Sequence, residues 1–215
     1  NPKRPDSGVF PVLFAPNCAS SLISHFVSAV SGSSQFKKAS FLLNRIDQRI
    51  FPEWLTIVES PLEPRSLGGA FFDSDGVQTR NNKFVTDGVL TSYVLSNYSA
   101  NRLGLATTGN AGGVRNLTLA GPSFSQEDLL KQIGRGVFVS SLMGQGVNIV
   151  NGDYSRGASG FWIENGEISH AIDNFTIAGN LSEMFMGIQA LGDDIDKRFN
   201  VRTPSILMGS MAVAS

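Results

Sequence analysis

The sequence predicts an α+β fold: one large, mostly antiparallel, curved and barrel-like β-sheet into which about four helices are inserted singly. Three observations predict it. Runs of β-branched and aromatic residues bounded by turn residues outnumber the stretches with helical apolar spacing. The 23 glycines supply many turns. Strands and helices do not alternate regularly, which argues against a doubly wound parallel sheet, and no repeat of fixed period is present.

Residues 1–10 read as a polar leader and residues 11–215 as one domain. The start, Asn-Pro-Lys-Arg-Pro-Asp-Ser-Gly, lacks both an initiator Met and a signal-type apolar stretch, which predicts a fragment whose upstream part lies outside this sequence. Phe10–Phe14 is a short apolar run that ends at Ala-Pro and predicts a strand. Leu22, Phe26 and Ala29, with Ile23 and Val27 beside them, predict a helix capped by Ser20 or Ser21 and ended by Gly32. Residues 33–44 form a mixed, partly helical link. Trp54–Glu59 predicts a strand, and 77–83 with 84–93 a strand pair whose turn is Asp87-Gly88.

Ser96–Leu103 predicts a short helix ending at Gly104, followed by a small-residue loop, Ala106–Gly113, and a strand, Asn116–Ala120. Ser125, with Asp128 three residues on, starts a helix carrying Leu129, Leu130 and Ile133, and Gly134 stops it. Residues 137–142, 147–150, 167–171 and 174–178 predict four more strands, and Asn151-Gly152 and Asn165-Gly166 are hairpin signals because both central residues of a type I′ turn need positive φ. Asn180 caps a last helix whose stripe is Leu181, Met184, Phe185, Ile188 and Leu191; 205–213 predicts an internal strand.

Composition excludes several functions. With 41% hydrophobic and 16% charged residues the chain is globular, not disordered. A net charge of −1 without a basic run argues against direct nucleic-acid binding, which needs clustered Lys and Arg. The single Cys18 cannot form an internal disulfide and fits a reducing compartment. No apolar run reaches membrane-span length, so no membrane contact is expected, and the lone cysteine fits a cytoplasmic location.

Catalytic motifs are sparse. A zinc site needs three or four converging ligands, and this chain has two histidines, His25 and His170, besides Cys18. On a helix Cys18 and His25 lie about 11 Å apart, too far to chelate one ion. Gly-Ala-Ser-Gly at 157–160 lacks the five-residue frame of a serine nucleophile elbow. Gly134-x-Gly136 and Gly144-x-Gly146 lack the third glycine of a dinucleotide fingerprint, and no Gly-Lys-Ser/Thr occurs. Asp193, Asp194 and Asp196 follow the last helix as solvated acids. What remains are two glycine-rich loops. Gly109–Gly113 offers Asn110, Gly112 and Gly113; Gly152–Gly160 offers Asp153, Tyr154, Ser155, Arg156 and Gly157. Glycines let a backbone approach a ligand closely and the polar side chains orient it; a long turn in a β-rich domain accounts for the same residues.

The run from Leu142 to Ile168, Leu-Met-Gly-Gln-Gly-Val-Asn-Ile-Val-Asn-Gly-Asp-Tyr-Ser-Arg-Gly-Ala-Ser-Gly-Phe-Trp-Ile-Glu-Asn-Gly-Glu-Ile, resembles the signature of the TldD/PmbA family, in its PmbA (TldE) branch. So do Thr-Gly-Asn-Ala-Gly-Gly-Val-Arg-Asn at 108–116, Thr-Ile-Ala-Gly-Asn-Leu at 176–181, Phe-Asp-Ser-Asp-Gly-Val at 72–77 and Asp-Gly-Val-Leu-Thr at 87–91. The resemblance runs from about Pro11 to Ser215, with the motifs in the family's order. It implies the β-rich, barrel-like C-terminal domain of a zinc metalloprotease family whose members are also described as DNA gyrase modulators. It further implies a cytosolic heterodimer of a TldD-type and a TldE-type subunit that cleaves unfolded or short peptides, including leader peptides in microcin maturation.

TldD-type subunits carry His-Glu-x-x-x-His on the first helix of this domain and a cysteine near the C-terminus. The matching hexad here is Ser20-Ser21-Leu22-Ile23-Ser24-His25, and 196–204 holds no cysteine. The resemblance therefore implies no cofactor in this chain, zinc in a TldD-type partner, and His25 as a remnant. The expected role is a non-catalytic subunit that binds extended peptide through Asn110, Gly112, Gly113 and the 153–157 segment, and that forms a homodimer when alone. The alternatives are an autonomous, metal-independent peptidase using Ser155 or Ser159, and an interaction protein acting on gyrase.

Overall fold

Pro11 interrupts the first apolar run, and the barrel is built around the interruption. In this computed structural model, which describes residues 2–215, strand β1 (Gly8–Phe14) pairs antiparallel with β12 (Ile206–Ala214) and parallel with β7 (Gly136–Val147). Phe10 faces Met211 and Val12 faces Met208, so Gly209 and Ser210 bulge opposite Pro11. Proline has no N–H to give a ladder, and a bulge is where its absence costs least.

From β7 the sheet continues antiparallel to β8 (Asp153–Glu164), β9 (Glu167–Asn180) and back to β12 through Ala212, Val213 and Ala214, closing a five-stranded ring. The first half of β12 leaves β9 and pairs with β10 (Ile188–Gly192), which pairs parallel with β6 (Ser123–Phe124). The sheet thus forks at the bulge. Val12, Phe14, Val137, Val139, Ile206 and Met208 enter the main core, while Leu13, Phe138 and Leu207 enter a second core under helix α4 (Gln126–Ile133) with Leu129 and Ile133. Burial on both faces explains why these strands read as continuous apolar runs instead of alternating ones.

Helix α1 (Pro16–Ala29) follows β1 directly. Pro16 stands at the first helical turn, where its missing N–H is harmless, and Cys18, Ala19, Leu22, Ile23, Phe26 and Ala29 form its buried face. Through this face the main core continues to a second sheet. That sheet has the order β11 (Val201–Arg202), β5 (Leu117–Ala120), β2 (Thr56–Glu59), β3 (Asn82–Thr86), β4 (Val89–Leu90). The remaining helices are α2 (Gly32–Phe36), α3 (Asn97–Leu103) and α5 (Leu181–Met186). Phe185 of α5 stacks on Phe51 at 4.8 Å, and Phe26 meets Phe51 edge-on at 5.3 Å, which pins the long 37–55 connection to the core.

The α+β, barrel-like expectation holds, with corrections. Five helices stand where about four were expected; the fifth, α2, is capped by Ser31 and forms the helical part of the link expected at 33–44. Helix α1 starts at Pro16, not at Ser20 or Ser21, and ends at Ala29. Gly152–Gly160 is not a loop: from Asp153 it is the first half of β8. The expected strands 137–142 and 147–150 are largely one strand, β7, with a bulge at Gly144-Gln145, and the turn is 148–152. Likewise 167–171 and 174–178 form the single strand β9. Residues 77–81 carry only an isolated bridge, Phe72 to Gln78. Ile188 and Leu191 belong to β10, since α5 stops at Gly187. Strand β1 begins at Gly8, and Lys3 bridges to Ile172, so part of the expected leader joins the sheet.

The glycines of β8 differ in what they permit. A methyl at Gly160 would fall 1.9 Å from the Phe138 carbonyl oxygen across the strand pair; at Gly157 its nearest neighbour would be 3.6 Å away. We expect Gly160→Ala to cost about 2–3 kcal/mol of unfolding free energy and Gly157→Ala less than about 1 kcal/mol, read from urea titrations of both variants. Equal midpoints would contradict the close β7–β8 approach.

Candidate functional site

Strand β1 stops pairing with β7 at Val139, where Ala15 takes the next carbonyl. Beyond it Asn17 Nδ2 donates to Ser140 O at 3.1 Å. From Ser141 to Val147, β7 pairs with β8, but no strand covers its other side among the described residues. Ser141 and Met143–Gly146 are exposed. This stretch is an unprotected sheet edge, with glycines at 144 and 146.

A cavity of about 300 Å³ opens at this edge, lined by His25 from α1, Gly144, Gln145 and Val147 from β7, and Arg156 from β8. Arg156 Nε donates to Met143 O at 3.1 Å, and no carboxylate pairs with its guanidinium among the described residues. Tyr154, only 2% exposed, meets His25 edge-on with ring centroids 6.2 Å apart. Neither His25 Nε2 nor the Tyr154 hydroxyl, both enclosed, has a hydrogen-bond partner. Burial lowers the His25 pKa below its ordinary 6.5 and the Arg156 charge lowers it further, so the imidazole is neutral at neutral pH. Burial raises the Tyr154 hydroxyl, and it pushes the Cys18 thiol up to about 11 against the lowering effect of Arg156. Cys18 is therefore held as the thiol at neutral pH.

The residues do not fit zinc. The Ser20 hydroxyl donates to Val201 O at 2.8 Å and the Ser24 hydroxyl to Ser20 O at 2.7 Å. His25 has no second imidazole, carboxylate or thiolate to complete a set, and among the described residues no three His, Cys, Asp or Glu side chains converge.

The other candidates lie apart from this cavity. Asn110 is buried and spent on structure: its Nδ2 reaches both oxygens of Glu59 at 2.7 and 2.9 Å, and Asn82 Nδ2 reaches Glu59 at 2.7 Å. The Arg115 amide adds a 2.6 Å bond to the same carboxylate, and the Arg115 guanidinium holds Ala111 O and Gly113 O. Burial raises the Glu59 carboxyl above its ordinary 4.5 despite the lowering by these donors. Gly112 and Gly113, with φ of 90° and 104°, wall a separate groove of about 560 Å³ together with Ser28, Ser31 and Tyr98. Asp153 opens β8 and accepts from Asn151 Nδ2 of the preceding turn, Ser155 is exposed on β8, and Gly157 lies opposite Met143. Of the eight candidates, then, only Arg156 lines the cavity, with Tyr154 packed against its histidine. Sequence reasoning missed Gln145 as a lining residue and Glu59 as the anchor of the 109–115 loop; no local pattern marks either.

Residues 7–215 match the family described as PmbA/TldA metallopeptidase C-terminal domain. The chain is 44% identical over 214 residues to the metalloprotease PmbA of Escherichia coli O157:H7, covering all of this chain and 48% of that protein. It is 44% identical over 216 residues to the PmbA homologue of Haemophilus influenzae, again covering 48% of it. The chain thus spans about half the length of the curated relatives it matches. A crystal structure of TldE from Thermococcus kodakarensis superimposes with a TM-score of 0.88 at 28% identity, covering all of this chain and 52% of that one. A candidate modulator of DNA gyrase from Bacteroides thetaiotaomicron superimposes with a TM-score of 0.93 at 28% identity, covering 100% and 48%.

Two measurements follow from the geometry. Because the folded state holds His25 neutral, the unfolded chain takes up the proton first as pH falls through 6.5, and folding loses stability there. His25→Gln should lose less stability than the parent chain between pH 7 and pH 5, read by urea titration at each pH. Glu59→Ala takes the shared acceptor from the buried Asn110 side chain and from the half-buried Asn82 side chain and Arg115 amide, and should cost about 3 kcal/mol or more at pH 7. A loss below about 1 kcal/mol would show the network is dispensable.

Proposed function

Because the chain belongs to the PmbA/TldA metallopeptidase C-terminal domain family, we propose that it is a PmbA/TldE-type, non-catalytic subunit of a TldD/TldE metalloprotease. It presents extended peptide to a zinc-bearing TldD-type partner in a cytoplasmic heterodimer. One observation carries the reading. On the helix where a TldD-type subunit would hold His-Glu-x-x-x-His, two positions are serine, and Ser20 is tied to the β11 backbone. Without the glutamate and the first histidine, this chain has no residues to bind a metal-activated water or to take its proton.

The binding role rests on the β7 edge. Exposed backbone from Ser141 to Val147 pairs with an extended chain through main-chain hydrogen bonds, which reads no sequence and suits a complex that degrades unfolded peptides or trims leader peptides, as in microcin maturation. The Gly112–Gly113 groove is a second surface for the same ligand. An action on DNA gyrase through protein contact is the other reading, supported by the description of the Bacteroides neighbour. No helix among the described residues is long and apolar enough to cross a membrane.

The test is elemental analysis and a peptide-cleavage assay on the chain alone and mixed with a TldD-type paralogue. We expect zinc and cleavage in the mixture and neither in the lone chain. Stoichiometric zinc in the lone chain would overturn the assignment.

A further inference from the structure

We propose that the cavity between α1 and the free β7 edge is a receptor for a carboxylate carried by an extended peptide. The inference deepens the peptide-binding reading and rests on it for the source of the ligand; the chemistry rests on the cavity itself.

Arg156 is the one cation in the lining, and no acidic residue lines the cavity with it. Its Nε is committed to Met143 O, which fixes the stem of the side chain. Both Nη atoms are without a carboxylate partner among the described residues. A planar fork so held suits a planar, two-oxygen anion, which it takes in two parallel hydrogen bonds. His25 shares the lining with it, and Tyr154 packs edge-on against His25 outside the lining; His25 Nε2 and the Tyr154 hydroxyl are both enclosed and left unsatisfied by the protein. Buried polar groups without partners are rare, so two on neighbouring rings call for an acceptor that arrives from outside. Both donate when the imidazole carries its proton on Nε2. A neutral imidazole adds no charge of its own, leaving Arg156 to set the sign of the ligand.

Size and access fix the class further. A volume of about 300 Å³ takes the end of a peptide or one side chain, not a folded partner. On the side where a Cβ would stand, Gly144 has nothing within 4 Å, so a ligand backbone can approach that face. Gly144, Gln145 and Val147 belong both to the cavity wall and to the unpaired edge. A peptide strand laid along Ser141–Val147 therefore brings either its C-terminal carboxylate or an acidic side chain to Arg156.

The test is an NMR titration of the full chain with three N-acetylated tripeptides: a trialanine acid, its C-terminal amide, and an amide with a central glutamate. The acid should bind about 10-fold or more tighter than the plain amide, and Arg156→Met should reduce it to the level of the amide. Arg156→Lys, which keeps the charge but not the fork, should fall between them. Tyr154→Phe should weaken the acid by about 3- to 10-fold without lowering the unfolding midpoint, because the hydroxyl has no partner to lose in the free chain. A purely structural Tyr154 would leave affinity unchanged. If the glutamate amide matches the acid, the receptor takes a carboxylate from a side chain as well as from the terminus; if only the acid binds, it takes the terminus alone. Equal affinity for acid and plain amide, or an Arg156→Met variant that binds the acid as before, overturns the receptor. Failure of the two proposals separates cleanly. Cleavage by the mixture with a TldD-type paralogue but no discrimination among the tripeptides removes the receptor and keeps the subunit role. Tripeptide-acid binding without cleavage by the mixture does the reverse.

Discussion

The closure of β1 between β12 and β7 is the constraint on which the rest of the molecule depends. One edge of β1 pairs antiparallel with a strand about 200 residues away in sequence, the other parallel with a strand about 125 residues away. Helix α1 leaves β1 with a single residue between them, so its position and tilt are inherited from the closed ring. That places His25. Strand β8, next to β7 in the same ring, places Arg156 and Tyr154. The cavity residues come from three elements, yet one closure sets their mutual geometry. The Pro11 bulge belongs to the same device: it lets β12 serve the barrel along one half and β10 along the other.

A second, independent anchor lies in the smaller sheet. Glu59 has almost no solvent contact and collects donors from Asn82, Asn110 and Arg115. A carboxyl group buried at such a place is stabilising only while its donors stay in place, and their arrangement shapes the 109–115 loop. The loop's glycines are set by this network and by Asp73, which accepts from the Ala111 amide. Its backbone is thus already held by internal hydrogen bonds, whereas the β7 edge has unpaired backbone to offer.

Local signals were legible in the sequence and distant ones were not. Asp87-Gly88 and Asn165-Gly166 form hairpin turns with positive φ at both residues, because a type I′ turn is decided within two residues. Ser96 with Gly104, and Ser125 with Gly134, bound their helices as expected, since caps act over one turn. The glycines of 152–160 misled because their reason is not local. Gly160 is small because the Phe138 carbonyl crosses over it, a fact of strand packing that periodicity does not carry. Asn151-Gly152 has positive φ only at the glycine and closes a five-residue connection instead of a tight hairpin. Of the site, the segment containing Tyr154 and Arg156 was visible. Its meeting with His25 required the ring to close, which no spacing along the chain encodes.

That ring also has a consequence in time. During synthesis β1 is made before the strands that flank it, and its antiparallel partner follows about 190 residues later, a delay of roughly 10–40 s at ordinary synthesis rates. Until then the apolar face of α1 and the Val12–Phe14 segment have no barrel to enter. The Val12–Phe14 segment thus waits without its antiparallel cover until synthesis reaches β12, so the closure that fixes the fold is also the last one the growing chain can make.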